Sequence, residues 1–310
     1  MDAYRTPDER FERLSGWPYA PRYAEQDGLR MHYVEEGDGN PILLLHGEPT
    51  WGFLYRRLIP ILAASGRVVV PDLFGFGRSD KPVDQAAYSY DMHARSIERF
   101  VLGLDLRELT IVVHDWGGPI GLRFAVTHPD RVARLVILNT GVGVGAPSEP
   151  WLRFRALVRE VGAGFTASRL VQVACVAPLD DEAVRGYDAP FPAGEAKAGA
   201  LAFPELVPTE PDHPSAAAML EVRDALARWE KPALILFSDS DRIFSPAHAE
   251  RMAAHLPGAL PAEIVAGAGH FLQEDKGEEI ARRIARFRRL SATRSSAGRS
   301  PGPARAERRR

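Results

Sequence analysis

Cysteine is nearly missing from this 310-residue chain: Cys175 is the only one. One cysteine excludes an internal disulfide and leaves a reducing compartment open. No Cys-His signature surrounds it, so it reads as a small buried apolar residue rather than a nucleophile. Excess charge of either sign is also lacking. Lys and Arg number 39 against 41 Asp and Glu, a formal net charge of -2, which gives no general electrostatic reason to bind nucleic acid. No apolar run approaches the roughly 20 residues of a membrane span. The opening Met1-Asp2-Ala3-Tyr4-Arg5 carries charges and no apolar h-region, so no signal peptide is expected. His, Cys and Asp show no metal-ligand spacing, and no metal is expected. The chain is expected to be a soluble cytoplasmic monomer.

What is present is apolar content: 45% of residues, enough in this length for one large α/β domain or a domain with an insertion. Residues 41–45, 67–70, 110–113 and 135–138 are continuous apolar runs, as in central parallel strands, and 29–35 alternate like a half-buried strand. Helical patterns over about 53–64, 92–104 and 119–127 separate them. Alternation of strand and helix predicts a mostly parallel sheet flanked by helices. From 142 to 215 the texture changes to many prolines and glycines, with helical stretches near 150–160, 165–177 and 180–186 and no strand. Strand signals return at 233–237 and 262–265, and a last helix is expected over 278–290. The reading is a core over 1–141, a helical cap over 142–215, a resumed core over 216–290 and a disordered tail over 291–310. Residues 1–27 read as a polar, proline-dotted surface arm. The closing Arg308-Arg309-Arg310 reads as solvated.

The stretch with the most chemistry is Thr110-Ile111-Val112-Val113-His114-Asp115-Trp116-Gly117-Gly118. Strand, sharp turn and helix is the context that exposes a nucleophile on a tight elbow, usually written Gly-x-Ser-x-Gly. Asp115 takes the nucleophile position, Gly117 the closing glycine, and Val113 replaces the opening one. The competing reading is an Asp that caps the following helix. An ester-forming carboxylate needs a base, an acid to orient it and donors for an oxyanion. His270, after a late strand and the Ala266-Gly267-Ala268-Gly269 loop, is placed to be the base. Asp239 and Asp241 both follow the run at 233–237 and either could be the acid; Asn139 and Thr140, at the other strand end where an acid could sit, cannot be anions. The oxyanion donors expected are the backbone N–H groups of Trp116 and Glu48. The Trp116 indole N–H, a donor without acceptor function, could hold a halide or a substrate oxygen, or simply pack. His46 and His114 suit structural hydrogen bonds; His248 and His255 suit a helix surface.

With these motifs in place, residues 25–290 resemble the haloalkane dehalogenases of the α/β-hydrolase superfamily. The resemblance rests on His46-Gly47-Glu48-Pro49-Thr50-Trp51, on the Asp72–Pro82 segment containing Gly75-Phe76-Gly77-Arg78-Ser79, and on Val113-His114-Asp115-Trp116-Gly117-Gly118. It extends to Tyr187-Asp188-Ala189-Pro190-Phe191-Pro192, Phe203-Pro204-Glu205-Leu206-Val207-Pro208 and Gly269-His270-Phe271-Leu272-Gln273-Glu274-Asp275. It implies an α/β-hydrolase fold with the cap inserted after the sixth strand, and hydrolysis of a small apolar haloalkane to a primary alcohol and halide without cofactor. In that scheme Asp115 attacks the halogen-bearing carbon, His270 activates the water that cleaves the ester, and Asp241 orients His270. Asp241 is preferred to Asp239 because the family's acid precedes a basic or proline residue and then an aliphatic one, here Arg242-Ile243. One subgroup has Asn at the position of Glu48 and a Glu after the earlier strand; this chain has neither and resembles the subgroup with a cap tryptophan as second halide ligand. That position falls on Phe154 or Ser168, neither of them Trp. Trp151, one helical turn from Phe154, is the substitute, with packing as the alternative.

Epoxide hydrolases share the Asp, His and acid but typically add two cap tyrosines, and residues 142–215 hold only Tyr187. Fluoroacetate-type dehalogenases usually have Arg where this chain has Trp116, and Ser-type esterases need a Ser at the elbow. A non-catalytic binding protein on the same fold is the reading from another class.

Overall fold

In a computed structural model the described residues are 2–145, 147–192 and 194–297. The disorder expected over 298–310, with Arg308-Arg309-Arg310, lies outside them. Eight strands form one sheet: β1 (Arg22–Gln26), β2 (Leu29–Glu36), β3 (Ile42–Leu45), β4 (Val68–Pro71), β5 (Leu109–His114), β6 (Val132–Leu138), β7 (Ala233–Ser238) and β8 (Glu263–Val265). Their order across the sheet is β8-β7-β6-β5-β3-β4-β2-β1. β3 to β8 run parallel, while β1 and β2 pair antiparallel at one edge. Every residue of β3, β4, β5 and β7 is buried, as parallel strands covered on both faces require.

The chain leaves β3 toward β4 on one side and returns to β5 on the other. Neighbouring loops diverge at such a reversal, and ligands bind at the strands' carboxyl ends there. Leu45 pairs with Val113 in this register, so the turn after β3 lies against the turn after β5. The covering helices include α1 (Ile59–Ala63), α2 (Tyr90–Gly103), which starts where Met92 N–H donates to Ser89 Oγ at 3.0 Å, and α3 (Gly117–Thr127).

After β6, the sixth strand of the sheet, the chain is helical: α4 (Glu149–Val161), α5 (Ala167–Ala174), α6 (Asp181–Asp188) and α7 (Ala198–Ala202). The described residues between β6 and β7 contain no strand. These helices make a cap over the carboxyl ends of the strands. α8 (Ala216–Leu226) returns to pack on α3, α9 (Pro246–His255) follows β7, and α10 (Leu272–Ala297) closes the fold.

Three expectations are corrected. Residues 1–27 are not merely a surface arm: Ala3–Tyr4 pair with Lys81–Pro82, β1 extends the sheet, and Phe11, Leu14 and Trp17 are buried. Phe11 and Trp17 meet Trp51 edge-on at centroid distances of 5.4 and 5.1 Å, and this aromatic burial outweighs the polar average of the segment. The helix expected over 53–64 is a 3-10 turn at Gly52–Tyr55 followed by α1, because Pro60 lacks an N–H and disfavours helical backbone before it. The last helix begins six residues earlier than expected, is kinked at Lys276 and continues through 291–297. Ser291 there is buried, its hydroxyl donating to Phe287 O at 2.9 Å.

Candidate active site

β5 runs into α3 through Asp115, whose φ is +48°. A residue with a Cβ adopts this left-handed region only where its surroundings hold it. Here Thr140 Oγ1 donates to Asp115 O at 2.6 Å, and Asp115 N–H donates to Asn139 O at 3.2 Å. Two glycines permit the close approach of β3 and the elbow. A Cβ on Gly47 would lie 2.0 Å from Asp115 Oδ1, and one on Gly117 would lie 2.2 Å from Leu45 O.

The elbow aims the Asp115 carboxylate at the turn after β3. Glu48 N–H donates to Oδ1 at 2.8 Å, and Oδ2 lies 3.6 Å from His270 Nε2. His270 Nδ1 is 2.8 Å from Asp241 Oδ2, while Ile243 N–H donates to Asp241 Oδ1 at 2.7 Å. The structure therefore joins Asp241, not Asp239, to His270. Asp239 is exposed and accepts Gly267 N–H at 3.0 Å within the turn.

The electrostatics fit these positions. Burial pushes the Asp115 carboxyl up, but the hydrogen bond and charge of His270, with the Trp116 N–H, outweigh it and hold Asp115 below the usual carboxylate range. Asp241 is likewise desolvated yet held low by His270 and the Ile243 and Phe244 N–H groups. Burial alone would lower His270, but Asp241 and Asp115 raise it to about 10. His114, desolvated and repelled by His270, falls to about 3 and is neutral. Burial, then the Asp115 charge, pushes the Glu48 carboxyl well above the usual carboxylate range.

Two cavities meet at Asp115, one of about 540 Å³ and one of about 530 Å³; Asp115, Trp116, Trp151 and Ile243 line both. Glu48, Phe154 and Cys175 line only the first. Cys175 is thus half-buried in the cleft wall, its thiol pushed up by burial and then by Asp275 and Glu274. Of the two positions expected for a cap tryptophan, Phe154 faces the cleft and Ser168 does not. Ser168 N–H and Oγ both donate to the Asp188 carboxylate, at 2.9 and 2.7 Å. Tyr187 lines neither cavity, and its hydroxyl donates to Glu274 Oε2 at 2.6 Å. His46 bonds locally, accepting Leu73 N–H on Nε2 at 3.0 Å. His248 is exposed on α9 and lines the second cavity; His255 bonds to Arg223 O.

Three residues absent from the sequence-based site hold the His270 loop. Asn139 Nδ2 donates to Ser238 Oγ at 2.7 Å and to Gly269 O and His270 O at 3.1 Å. His114 Nε2 is 2.8 Å from His270 O. Asp275 accepts the N–H groups of Gly269 at 2.8 Å and of the cap residues Val176 and Ala177. His114 was read from sequence as a structural hydrogen-bonding residue, though not toward His270; the only signals for the other two were Asn139 at a strand end and Asp275 five residues past His270, and neither pattern is specific. Among the described residues no group of three or more His, Cys, Asp or Glu could hold a metal ion, and no helix is long and apolar enough to cross a membrane.

Against known proteins, a family model of the α/β hydrolase fold matches residues 40–180. A haloalkane dehalogenase of Mycobacterium marinum is 45% identical over 298 residues, covering 92% of this chain and 99% of that protein. A cis-3-alkyl-4-alkyloxetan-2-one decarboxylase of Shewanella oneidensis is 32% identical, covering 87% and 88%. The tetrameric haloalkane dehalogenase DpaA of Paraglaciecola agarilytica superposes with a TM-score of 0.87 at 34% identity, covering 91% of this chain and 97% of that one. The expectation of a monomer draws no support from that tetrameric relative. Sequence identity along nearly the whole length and the shared architecture together establish that the chain belongs to the haloalkane dehalogenase family of α/β hydrolases.

Proposed function

We propose that this protein hydrolyses haloalkanes to an alcohol and a halide through an ester on Asp115. The observation that carries this reading is the Asp115 carboxylate itself. It is kept ionised on a strained elbow, with Oδ1 held by Glu48 N–H and Oδ2 toward His270, and it faces an apolar cleft beside an indole. One carboxylate oxygen attacks the halogen-bearing carbon, the new C–O bond forms, and the halide leaves with the bonding electrons. The Trp116 indole N–H stabilises the departing charge, and Trp151, on the wall common to both cavities, is the second aromatic placed near it.

His270 is protonated in the resting site because it lies between two carboxylates. Esterification neutralises Asp115 and removes one of them, so the imidazole releases its proton to solvent. It then takes a proton from water as the water oxygen attacks the Asp115 carboxyl carbon. The N–H groups of Glu48 and Trp116 stabilise the oxyanion, the acyl C–O bond breaks, and the leaving alkoxide takes the second water-derived proton from the re-formed Asp115 carboxyl, which gives the alcohol and restores the ionised Asp115 and protonated His270. Asp241 orients the imidazole and balances its charge.

Epoxide hydrolysis is the weaker reading, because Tyr187 is committed to Glu274 and no tyrosine lines either cavity. The test is a panel of 1-chloro-, 1-bromo- and 1-iodohexane beside styrene oxide and a cis-dialkyl β-lactone, with halide, diol and carbon dioxide followed. Halide release is expected; diol or carbon dioxide without halide overturns the proposal. In a His270→Ala protein the bromoalkane should leave a hexyl adduct on Asp115, seen as a mass increase.

A further inference from the structure

Large apolar side chains are exposed unevenly on this molecule. Of the nine exposed among the described residues, six stand on the cap: Leu152, Leu157, Val161, Val173, Val176 and Val184. Single scattered exposures need no cause, whereas a concentration of them marks a contact surface. Three of the six have a definite place. Leu157 of α4, with Val173 and Val176 on α5 and the turn after it, lines the first cavity, and the three are 47%, 73% and 54% exposed. Side chains that face both cavity and solvent stand at its mouth. Val161, one helical turn beyond Leu157, lengthens the apolar strip on α4.

The exposed charges at that mouth have one sign. The acids lining the cavity, Glu48, Asp115 and Asp241, belong to its catalytic floor, whereas its exposed charges are Arg153 and Arg242. Arg169, exposed one turn before Val173 on α5, adds a third. Arg153 pairs with Glu149, while among the described residues neither Arg169 nor Arg242 has an ion-pair partner. Apolar groups ringed by unpaired arginines suit an anionic lipid interface, and lying on such a surface needs no spanning helix. A protein partner or a second copy seated here would close the mouth. A lipid surface would feed it, because an apolar haloalkane dissolves in the acyl phase and passes from there into the cleft. We propose that the cap mouth docks on anionic lipid surfaces, with Leu157, Val173 and Val176 at the acyl boundary and Arg153, Arg169 and Arg242 toward the headgroups. The route of supply rests on the dehalogenase reading; the docking rests on the surface alone.

The test is flotation of the full chain with vesicles of phosphatidylcholine alone and with vesicles of equal phosphatidylcholine and phosphatidylglycerol. Binding to the anionic vesicles is expected, weakened by salt and near absent with phosphatidylcholine alone. A chain carrying both Val173→Ser and Val176→Ser loses two exposed mouth groups, and its partition should fall at least about tenfold, as the transfer energy of one buried valine implies. Arg169→Glu, outside the cavity lining, should lower it about tenfold through charge. No flotation with anionic vesicles, flotation indifferent to vesicle charge, or flotation that neither variant weakens overturns the proposal. So does sedimentation in which the parent self-associates and the serine variant does not, since a second copy would then own the patch. Bromide release from soluble 1-bromobutane without vesicles reads the chemistry separately. Release without flotation leaves the dehalogenase reading standing and the docking overturned; flotation without release does the reverse.

Discussion

At the scale of single residues the site is a set of coupled charges, and each charge change should be visible in another group. Asp115→Asn keeps the shape of the carboxylate but removes its charge, so halide release should vanish. The His270 imidazole should also titrate at lower pH than in the parent, as followed by NMR of its Cε1–H; an unchanged titration would mean that Asp115 does not help hold that proton. Stability has a sign that follows from the same shift. His270 binds its proton more tightly folded than unfolded, so the stability it contributes is complete below the ordinary imidazole value and is lost as pH rises through about 10. Thermal midpoints should fall across that window, and over a lower one in Asp115→Asn. Trp116→Phe removes the indole N–H and keeps the ring; on the proposed role of that N–H at the departing halide, bromide release should slow about 10²-fold. Asp115 and His270 were legible in sequence because their chemistry sits in local motifs at strand ends. Asp241 and Asp239 follow the same strand, and it was the family resemblance carried by Arg242-Ile243, not the chemistry of the two carboxylates, that favoured Asp241. Only the backbone of the 238–243 turn sends one carboxylate inward and the other to Gly267. Asn139 was read only as a residue unable to be an acid, and its work as a donor to the His270 loop depends on Gly269 and His270, 130 and 131 residues away.

At the scale of elements, the parallel strands were readable because both faces are buried and the runs are continuous. The β1 edge strand and the aromatic contacts of residues 8–17 were not, since their partners lie on Trp51 and β2 and their own composition is polar. The same limit applies to the junction of cap and core. Asp275, in the first turn of α10, holds both the His270 loop and the turn after α5 through the N–H groups of Gly269, Val176 and Ala177. Asp275→Ala leaves the buried Gly269 N–H without its acceptor, while the exposed N–H groups of Val176 and Ala177 turn to water, and should cost about 1 kcal/mol in urea unfolding. Because the loop carries His270 but not Asp115, ester hydrolysis should slow more than ester formation. The alkyl-enzyme should then accumulate in single-turnover experiments with 1-bromohexane. Equal slowing of both steps would show that the clamp does not act through the imidazole.

At the scale of the whole molecule, the insertion point of the cap was legible as a change of composition after the strand at 135–138, whereas what binds cap to core was not. The ties join residues far apart in the chain. Trp51 Nε1–H donates to Gly186 O at 2.9 Å across 135 positions, and Arg56 donates twice to Glu274 at 2.7 Å across 218. Tyr187 of α6 donates to the same Glu274 carboxylate, so one buried acid is shared by the 3-10 turn region after β3, the cap and α10. A cap fastened through buried groups should not unfold by itself. Far-UV circular dichroism and tryptophan fluorescence, to which Trp151 in the cap and Trp17, Trp51, Trp116 and Trp229 in the core contribute, should give one coincident urea transition. Glu274→Ala leaves the Arg56 guanidinium and the Tyr187 hydroxyl buried without their acceptor, and the loss should be about 3–5 kcal/mol, as for other broken buried ion pairs. If the network is what makes cap and core one unit, the two probes should also separate in this variant. A variant that is destabilised while the probes still coincide would show that apolar contact between cap and core is enough to unite them. Two transitions in the parent protein would show that the buried network does not unite them at all.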